Sequence, residues 1–143
     1  MAQMQRTIAI ALAAAGAFAG SIAWAAADNT ALPDVKTQGS VSFLTGGIGE
    51  DEAHAMKDAE SQYPLSMLFV EKAKPHDEYL AAVAVTIKDH KGNTTLDTIS
   101  DGPYLLADLP AGKYTVTAVY DGKTLKRDAT VVSGKPRQLV FDW

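Results

Sequence analysis

The chain has 143 residues, no cysteine, and 17 acidic residues against 13 basic ones. This mild acidic excess supplies none of the clustered Lys and Arg with which proteins bind nucleic acid, so we expect no nucleic-acid partner. Because no disulfide can form, one hydrophobic core must stabilise the fold, and the length is sufficient for one.

Residues 1–25 have the pattern of a cleaved signal peptide. Arg6 is the only charged residue before Asp28, residues 8–23 are apolar or small, and Ala23-Trp24-Ala25 gives the small-x-small sequence that a signal peptidase recognises. A retained membrane anchor is the alternative, but the apolar run is shorter than the roughly 20 strongly apolar residues of a spanning helix. We therefore predict an exported, periplasmic protein without a membrane span after cleavage.

Residues 28–38 are polar, contain a proline and show no hydrophobic period. This pattern predicts a flexible leader over residues 26–38 that precedes a single domain of residues 39–143. Val41 and Phe43 alternate with serines and predict a short first strand.

The convincing helix pattern covers residues 50–62, EDEAHAMKDAESQ. Three acidic residues occupy its first turn, where the helix dipole favours negative charge, and Pro64 ends it. Apolar side chains at helical spacing predict one narrow buried stripe, made of Ile48, Ala55, Met56, Ala59 and Tyr63.

The glycines before this helix, Gly46-Gly47-Ile48-Gly49, allow two interpretations. The bare amides of a helix N-terminus attract anions, which would suggest a phosphate-binding loop. The three acidic residues that follow would repel a phosphate, and neither a G-x-G-x-x-G sequence nor a Walker lysine is present. We therefore interpret these glycines as a tight turn from strand to helix.

Glu50, His54 and Asp58 lie four residues apart and so share one helix face. A carboxylate–imidazole–carboxylate column of this kind can hold a divalent metal. A solvated face with i,i+4 pairing is the simpler interpretation, and we predict no metal and no cofactor. A second polar set lacks the spacing of a calcium loop and comprises Asp89, Asn93, Asp97 and Asp101.

The middle of the chain predicts three strands. Residues 65–71, LSMLFVE, are apolar on both alternations, which is typical of a central strand buried on both faces. After a charged loop, residues 79–88 alternate with Val83, Val85 and Ile87 on one side. Residues 89–93 form a turn, and the Thr-rich residues 94–99 predict a weaker strand near a sheet edge.

Residues 99–123 contain the clearest strand pattern, on both sides of a turn at 109–112. Tyr104 and Leu106 alternate with their neighbours before the turn, and the alternation resumes from Tyr114 to Tyr120. Asp121-Gly122 then predicts a two-residue hairpin, because glycine tolerates the positive φ of a type I′ turn. Residues 124–132 and 138–143 add two strands, for a total of seven or eight. Such a count with one short helix predicts a β-sandwich.

A family resemblance rests on four segments of residues 80–143: VAVTIKD at 83–89, GN at 92–93, GPYLL at 102–106 and, most specifically, LPAGKYTV at 109–116. The last matches a leucine-proline-x-glycine-x-tyrosine signature. This half resembles the carboxypeptidase regulatory-like domain, a transthyretin-like (prealbumin-like) antiparallel β-sandwich also grouped with Cna-B-type and starch-binding-like modules. Residues 46–52 resemble those of small exported proteobacterial proteins that carry such a domain without an assigned activity.

The signature residues, Leu109, Pro110, Gly112 and Tyr114, have structural roles. Pro110 presets φ for a turn, and Gly112 supplies a backbone conformation that other residues resist. Tyr114 is expected to place its ring in the core and to cap a loop with its hydroxyl, as corner tyrosines do. The signature is specific for fold and uninformative about function.

No catalytic residue is predicted. The chain has no cysteine and no G-x-S-x-G sequence. The transthyretin-like fold includes hydroxyisourate hydrolases, whose activity needs histidines, an arginine and a C-terminal tyrosine-arginine-glycine-serine end; this chain ends Val140-Phe141-Asp142-Trp143. We therefore predict that the protein is not an enzyme.

The predicted function is a binding or scaffolding module for an unidentified envelope protein or glycan. The first alternative is a carbohydrate-binding module, which would need exposed aromatic side chains. Tyr104, Tyr114 and Tyr120 are predicted to face inward, which weighs against it. The second alternative is a small hydrolase or a metal-binding protein.

Overall fold

The computed structural model describes residues 32–143. The predicted signal peptide and residues 26–31 of the predicted leader lie outside the described residues. The described part has two β-sheets and one short helix, which confirms a mainly β fold of the sandwich kind. In chain order the elements are β1 Lys36–Gln38, β2 Val41–Gly46, α1 Glu50–Ala59, a 3₁₀ turn Glu60–Gln62, β3 Leu65–Glu71, β4 Glu78–Tyr79, β5 Val83–Asp89, β6 Thr94–Ser100, β7 Tyr104–Asp108, β8 Gly112–Tyr120, β9 Lys123–Val131 and β10 Arg137–Asp142.

The first sheet has the strand order β1-β2-β7-β3-β10, with β4 paired to the end of β3, and the second has the order β6-β5-β8-β9. All pairs are antiparallel except β3 and β10, which run parallel with Arg137 opposite Leu65 and Asp142 opposite Val70. The prediction of an antiparallel sandwich is therefore correct except for this pair. The parallel pair arises because the chain crosses from β9 in the second sheet to β10 in the first.

The core lies between the two sheets and is built from their facing side chains. Strand β3 is buried on both faces, as its continuous apolar pattern predicted. Met67 and Phe69 are fully buried and face the second sheet, whereas Leu68 faces α1. Burial of side chains of this size stabilises the fold by about 1.5–3 kcal/mol each.

The predicted strand at residues 79–88 is two strands in different sheets. Tyr79 pairs with Val70 in the first sheet, whereas pairing in the second sheet begins at Val83. Between them Ala82 has a positive φ of 60° and donates its N–H to Ser100 O at 2.8 Å. The chain changes sheets at this bend, which continuous alternation in the sequence does not reveal.

The strands on either side of the signature turn also belong to different sheets, since β7 lies in the first and β8 in the second. Leu109 and Ala111 flank the crossing. The hairpin predicted at Asp121-Gly122 is confirmed: Tyr120 pairs with Lys123, and the two turn residues have φ of 51° and 75°. Positive φ at both central positions is the requirement of a type I′ turn.

Strand β1 lies within the predicted leader and was not predicted. It pairs with β2 and reaches across to β6 in the second sheet. The Gln38 side-chain amide donates to Asp97 O at 3.0 Å and accepts from Asp97 N at 2.7 Å. This side chain therefore pairs with the β6 backbone as a neighbouring strand would. Lys36 lies 3.0 Å from Asp101. Residues 36–38 thus join the edges of the two sheets.

Helix α1 covers the outer face of the first sheet. Met56 is fully buried against Leu44, Tyr104 and Leu106, and Ala53, Ala59 and Tyr63 pack at the margin. The predicted stripe is therefore correct at three positions. The prediction that Ile48 belongs to the stripe is wrong, because this residue lies in the glycine loop before the helix and is 63% exposed. Ala53, and not the predicted Ala55, packs against the cluster. Among residues 32–143 no helix is long and apolar enough to cross a membrane.

Candidate functional site

A groove of about 400 Å³ lies between α1, the glycine loop and the end of β4. We call it the helix groove and define it by Gly47, Glu50, His54, Lys57, Tyr79 and Tyr104. Glu50, His54 and Lys57 reach it because they are spaced by four and three residues on one face of α1. Strand β4 ends at the groove with Tyr79, and strand β7 begins there with Tyr104.

Tyr104 is the most unusual residue of the groove. Its side chain is 6% exposed and packs on Leu44 and Met56, yet its hydroxyl makes no hydrogen bond with any residue among 32–143. Every fully enclosed side-chain N or O atom in this range has a partner, so the Tyr104 hydroxyl must be open to the groove. Burial, with smaller contributions from Tyr79 and Glu60, raises the pKa of Tyr104, which keeps the hydroxyl protonated and able to donate.

Gly47 allows the backbone to lie against the Tyr104 ring. Its φ is +103°, and a Cβ at this position would lie 2.6 Å from Cδ2 of Tyr104. Both the conformation and the close approach therefore require glycine. The glycine loop shapes one wall of the helix groove.

Tyr79 forms the opposite, solvent-facing side of the groove. It is 66% exposed and is the one exposed residue among the described Phe, Tyr and Trp residues. Sequence reasoning missed it, because the residue starts a run of alternating side chains and was assigned to the strand now divided at Ala82. The inward positions predicted for Tyr104 and Tyr114 are confirmed, while Tyr120 is partly buried beside Trp143.

The structure brings two of the three candidate metal ligands to the groove. Glu50 and His54 line it, whereas Asp58 lies one turn further along the exposed face of α1 and does not. Among residues 32–143 no group of three or more His, Cys, Asp or Glu side chains is close enough to hold a metal ion. Glu50 and Lys57 carry opposite charges, so the groove offers both an acceptor and a donor to a polar ligand.

The anion-binding position of the glycine loop is occupied by the protein's own carboxylate. Glu52 Oε1 accepts a hydrogen bond from Gly47 N at 2.7 Å. Since Glu52 lies in the first turn of α1, this bond supports the interpretation of the loop as a strand-to-helix turn.

The signature residues lie at the far end of the sandwich. The Tyr114 side chain is 7% exposed, and its hydroxyl donates to Pro110 O at 2.6 Å, which confirms the predicted loop cap. Leu109 is buried at 3% exposure. A second cleft, about 370 Å³, opens beside this loop and is bounded by Tyr63, Pro64 and Lys135.

The second polar set is dispersed. Asp89 accepts hydrogen bonds from the N–H groups of Lys91 and Asn93, each at 2.9 Å, and so organises the β5–β6 turn. The Asp97 carboxylate accepts a hydrogen bond from the Thr86 hydroxyl at 3.5 Å, and the Asp101 carboxylate bonds to Lys36 and Thr45 just beyond the end of β6. Each of these carboxylates has a structural partner of its own.

No protein-family model matches this sequence, and no curated protein matches it.

Proposed function

We propose that this chain is an exported, periplasmic binding or scaffolding module without catalytic activity, and that the helix groove is its ligand site. The observation that carries the proposal is the Tyr104 hydroxyl. Since this hydroxyl is open to the groove, a ligand seated there can accept its hydrogen bond, and a typical hydrogen bond contributes about 0.5–1.5 kcal/mol net.

The surroundings of Tyr104 support a polar ligand with a flat or ring-shaped face. Tyr79 presents an exposed ring, and exposed tyrosine rings bind other rings and apolar faces. Glu50, His54 and Lys57 surround it with one acceptor, one imidazole and one cation. A few polar groups around an aromatic surface are typical of small-molecule and partner sites.

Site-specific photo-crosslinking in living cells tests the proposal. Replacing Tyr79 with p-benzoyl-phenylalanine should give a discrete adduct on illumination, which mass spectrometry then identifies as a protein or a glycan. The same replacement at Lys88, an exposed residue in the middle of the second sheet, is the matched control. Adducts at both positions, or at neither, would contradict a ligand site in the helix groove.

Carbohydrate binding is the second candidate, and the exposed ring of Tyr79 favours it. Sugar rings stack on such surfaces while their hydroxyls bond to nearby polar groups. In an NMR titration with maltoheptaose or chitohexaose we expect shifts of the Gly47, Gly49 and Ala53 amides. Tyr79→Ala should abolish them and Ile99→Ala, an exposed apolar change on the second sheet, should not. Shifts that survive Tyr79→Ala would reject this candidate.

Export itself is tested by intact-mass measurement of protein from the periplasmic fraction. The expected N-terminus is Ala26 or within about two residues of it, because Ala23-Trp24-Ala25 is the predicted processing sequence. A full-length, membrane-extracted species would contradict this.

A further inference from the structure

Strand β9 is a long sheet edge that pairs with only one strand, β8, among residues 32–143. It has nine residues, Lys123–Val131, and ends the strand order of the second sheet. Among the other described edges, β1 has three residues, β4 two and β10 six, and the backbone of β6 is partly covered by Gln38. An open edge of this length is a template for pairing with another strand.

The hairpin decides which backbone groups of β9 face outward. In an antiparallel pair, residues that exchange hydrogen bonds alternate with residues that do not. The two-residue turn makes Tyr120 and Lys123 an exchanging pair, so every second residue from Lys123 bonds to β8. The N–H and C=O groups of the residues between them point away from the sheet, and these residues are Thr124, Lys126, Asp128 and Thr130.

Along the strand, the side chains of these four residues are Thr, Lys, Asp and Thr. In reverse order they are Thr, Asp, Lys and Thr, so the two orders differ only in the sign of the two charges. We propose that two copies of this chain dimerise by pairing β9 antiparallel with β9 about a two-fold axis at Arg127. Thr124 then lies opposite Thr130 of the second copy, and Lys126 opposite Asp128. The outward backbone groups of these residues then pair with those of the second copy, and the Thr–Thr and Lys–Asp cross-strand pairs are favourable.

The charges favour this register because it forms two Lys126–Asp128 pairs, although it also places Arg127 opposite Arg127 of the second copy. A slip of two residues in one direction places Lys126 opposite itself, and a slip in the other direction places Asp128 opposite itself. Like charges directly opposite each other are destabilising. A slip of one residue would present backbone groups already bonded to β8. A strand without opposite charges at the matching positions would leave Lys126 and Asp128 unpaired, which favours a second copy over such a strand.

At the two-fold axis Arg127 lies opposite Arg127 of the second copy. Within each copy, contacts with the same chain fix its guanidinium group. Its Nη2 lies 3.6 Å from Asp142 Oδ1, its guanidinium lies 5.4 Å from the Phe141 ring centroid, and its Nη1 donates to Lys126 O at 3.0 Å. Asp142 is also 3.3 Å from Lys72. Each Asp142 carboxylate therefore attracts the guanidinium group of its own copy, which lessens the repulsion between the two Arg127 side chains, and each Lys126 carbonyl retains a second lone pair for the partner strand.

The dimer is independent of the ligand proposed for the helix groove, which lies on the first sheet. Sedimentation equilibrium measures the association directly, and the sample is the protein purified in the form that accumulates in cells. We expect a reversible monomer–dimer equilibrium that Asp128→Lys or Lys126→Asp each weakens at least about tenfold, because each creates like-charged pairs. The double variant K126D/D128K restores opposite charges and should restore association.

Two control variants separate the interface from general effects. Lys88→Asp makes the same charge change as Lys126→Asp away from the edge and should leave association unchanged. Thr115→Val removes the hydrogen bond of 3.1 Å from the Thr115 hydroxyl to Asp128 without changing charge, and should also leave it unchanged. A wild type that stays monomeric to millimolar concentration, or a folded double variant that fails to associate, would overturn the proposal.

Discussion

We expect the replacement of tyrosine by phenylalanine to change the free energy of unfolding differently at two buried tyrosines. Tyr114 donates its hydroxyl to Pro110 O at 2.6 Å, whereas the Tyr104 hydroxyl has no partner among residues 32–143. Both side chains are at least nine-tenths buried, at 7% and 6% exposure, so the loss of apolar contact on replacement by phenylalanine is equally small. The difference in the free energy of unfolding therefore isolates the hydrogen bond.

Tyr114→Phe should lower the free energy of unfolding by about 1 kcal/mol. A hydrogen bond contributes about 0.5–1.5 kcal/mol net, and an enclosed carbonyl left without a donor would cost more. Pro110 is exposed, so water can replace the lost donor and the low end of the range applies. Tyr104→Phe should leave the free energy of unfolding within about 0.5 kcal/mol of the wild type, or raise it, because no bond is lost.

Urea unfolding followed by tryptophan fluorescence measures both values, with an unchanged m-value as the sign of an unaltered transition. Trp143 packs beside Phe69 and Phe141 in the core and reports on their separation. Equal losses in the two variants, or a larger loss in Tyr104→Phe, would refute the reasoning. The latter result would mean that the Tyr104 hydroxyl is bonded in the folded protein, and the helix groove would lose its argument for a ligand.

The elements that the sequence predicted well are those fixed by local chemistry. The buried strand β3 has the bounds of its apolar run, Leu65–Glu71. The Asp121-Gly122 turn and the Tyr114 cap follow from turn geometry and from a contact only four residues away along the chain. Helix α1 begins at the predicted Glu50, although its last turn is 3₁₀.

The division of strands between sheets could not be predicted, because period-two alternation is the same in both sheets. The alternating run from Tyr79 crosses at Ala82, whose positive φ no alanine propensity would indicate. Strand β1 depends on side-chain bonds from Gln38 to Asp97 and from Lys36 to Asp101, which are distant in the sequence. Short strands held by such bonds leave no hydrophobic period.

The candidate site was predicted in part. The helix spacing correctly placed Glu50 and His54 on one exposed face, and the sequence could not indicate what faces them. The second wall comes from Tyr79, whose exposure follows from the sheet crossing, and the floor from Tyr104, which was predicted to be merely buried. Pockets formed between elements depend on tertiary packing, and this is why single-element patterns missed this one.

Three further predictions concern pH and two glycines. Burial raises the pKa of Tyr104 and Tyr114 above 10, so the unfolded chain ionises first and stability should fall as pH rises from about 10; the double Tyr→Phe variant should show a shallower fall in urea titrations. Gly102→Ala should lower the free energy of unfolding by about 1–3 kcal/mol, because a Cβ there would lie 2.5 Å from Gly46 O in rigid backbone. Gly112→Val tests backbone conformation instead of space, since its Cβ would meet only Tyr114 ring atoms at 3.8 Å or beyond. Its φ of +155° lies in a region that is essentially restricted to glycine, so a loss of about 1–3 kcal/mol is expected from strain alone. An unchanged urea midpoint for Gly112→Val would show that the backbone relaxes to an ordinary strand conformation and that the signature glycine is dispensable.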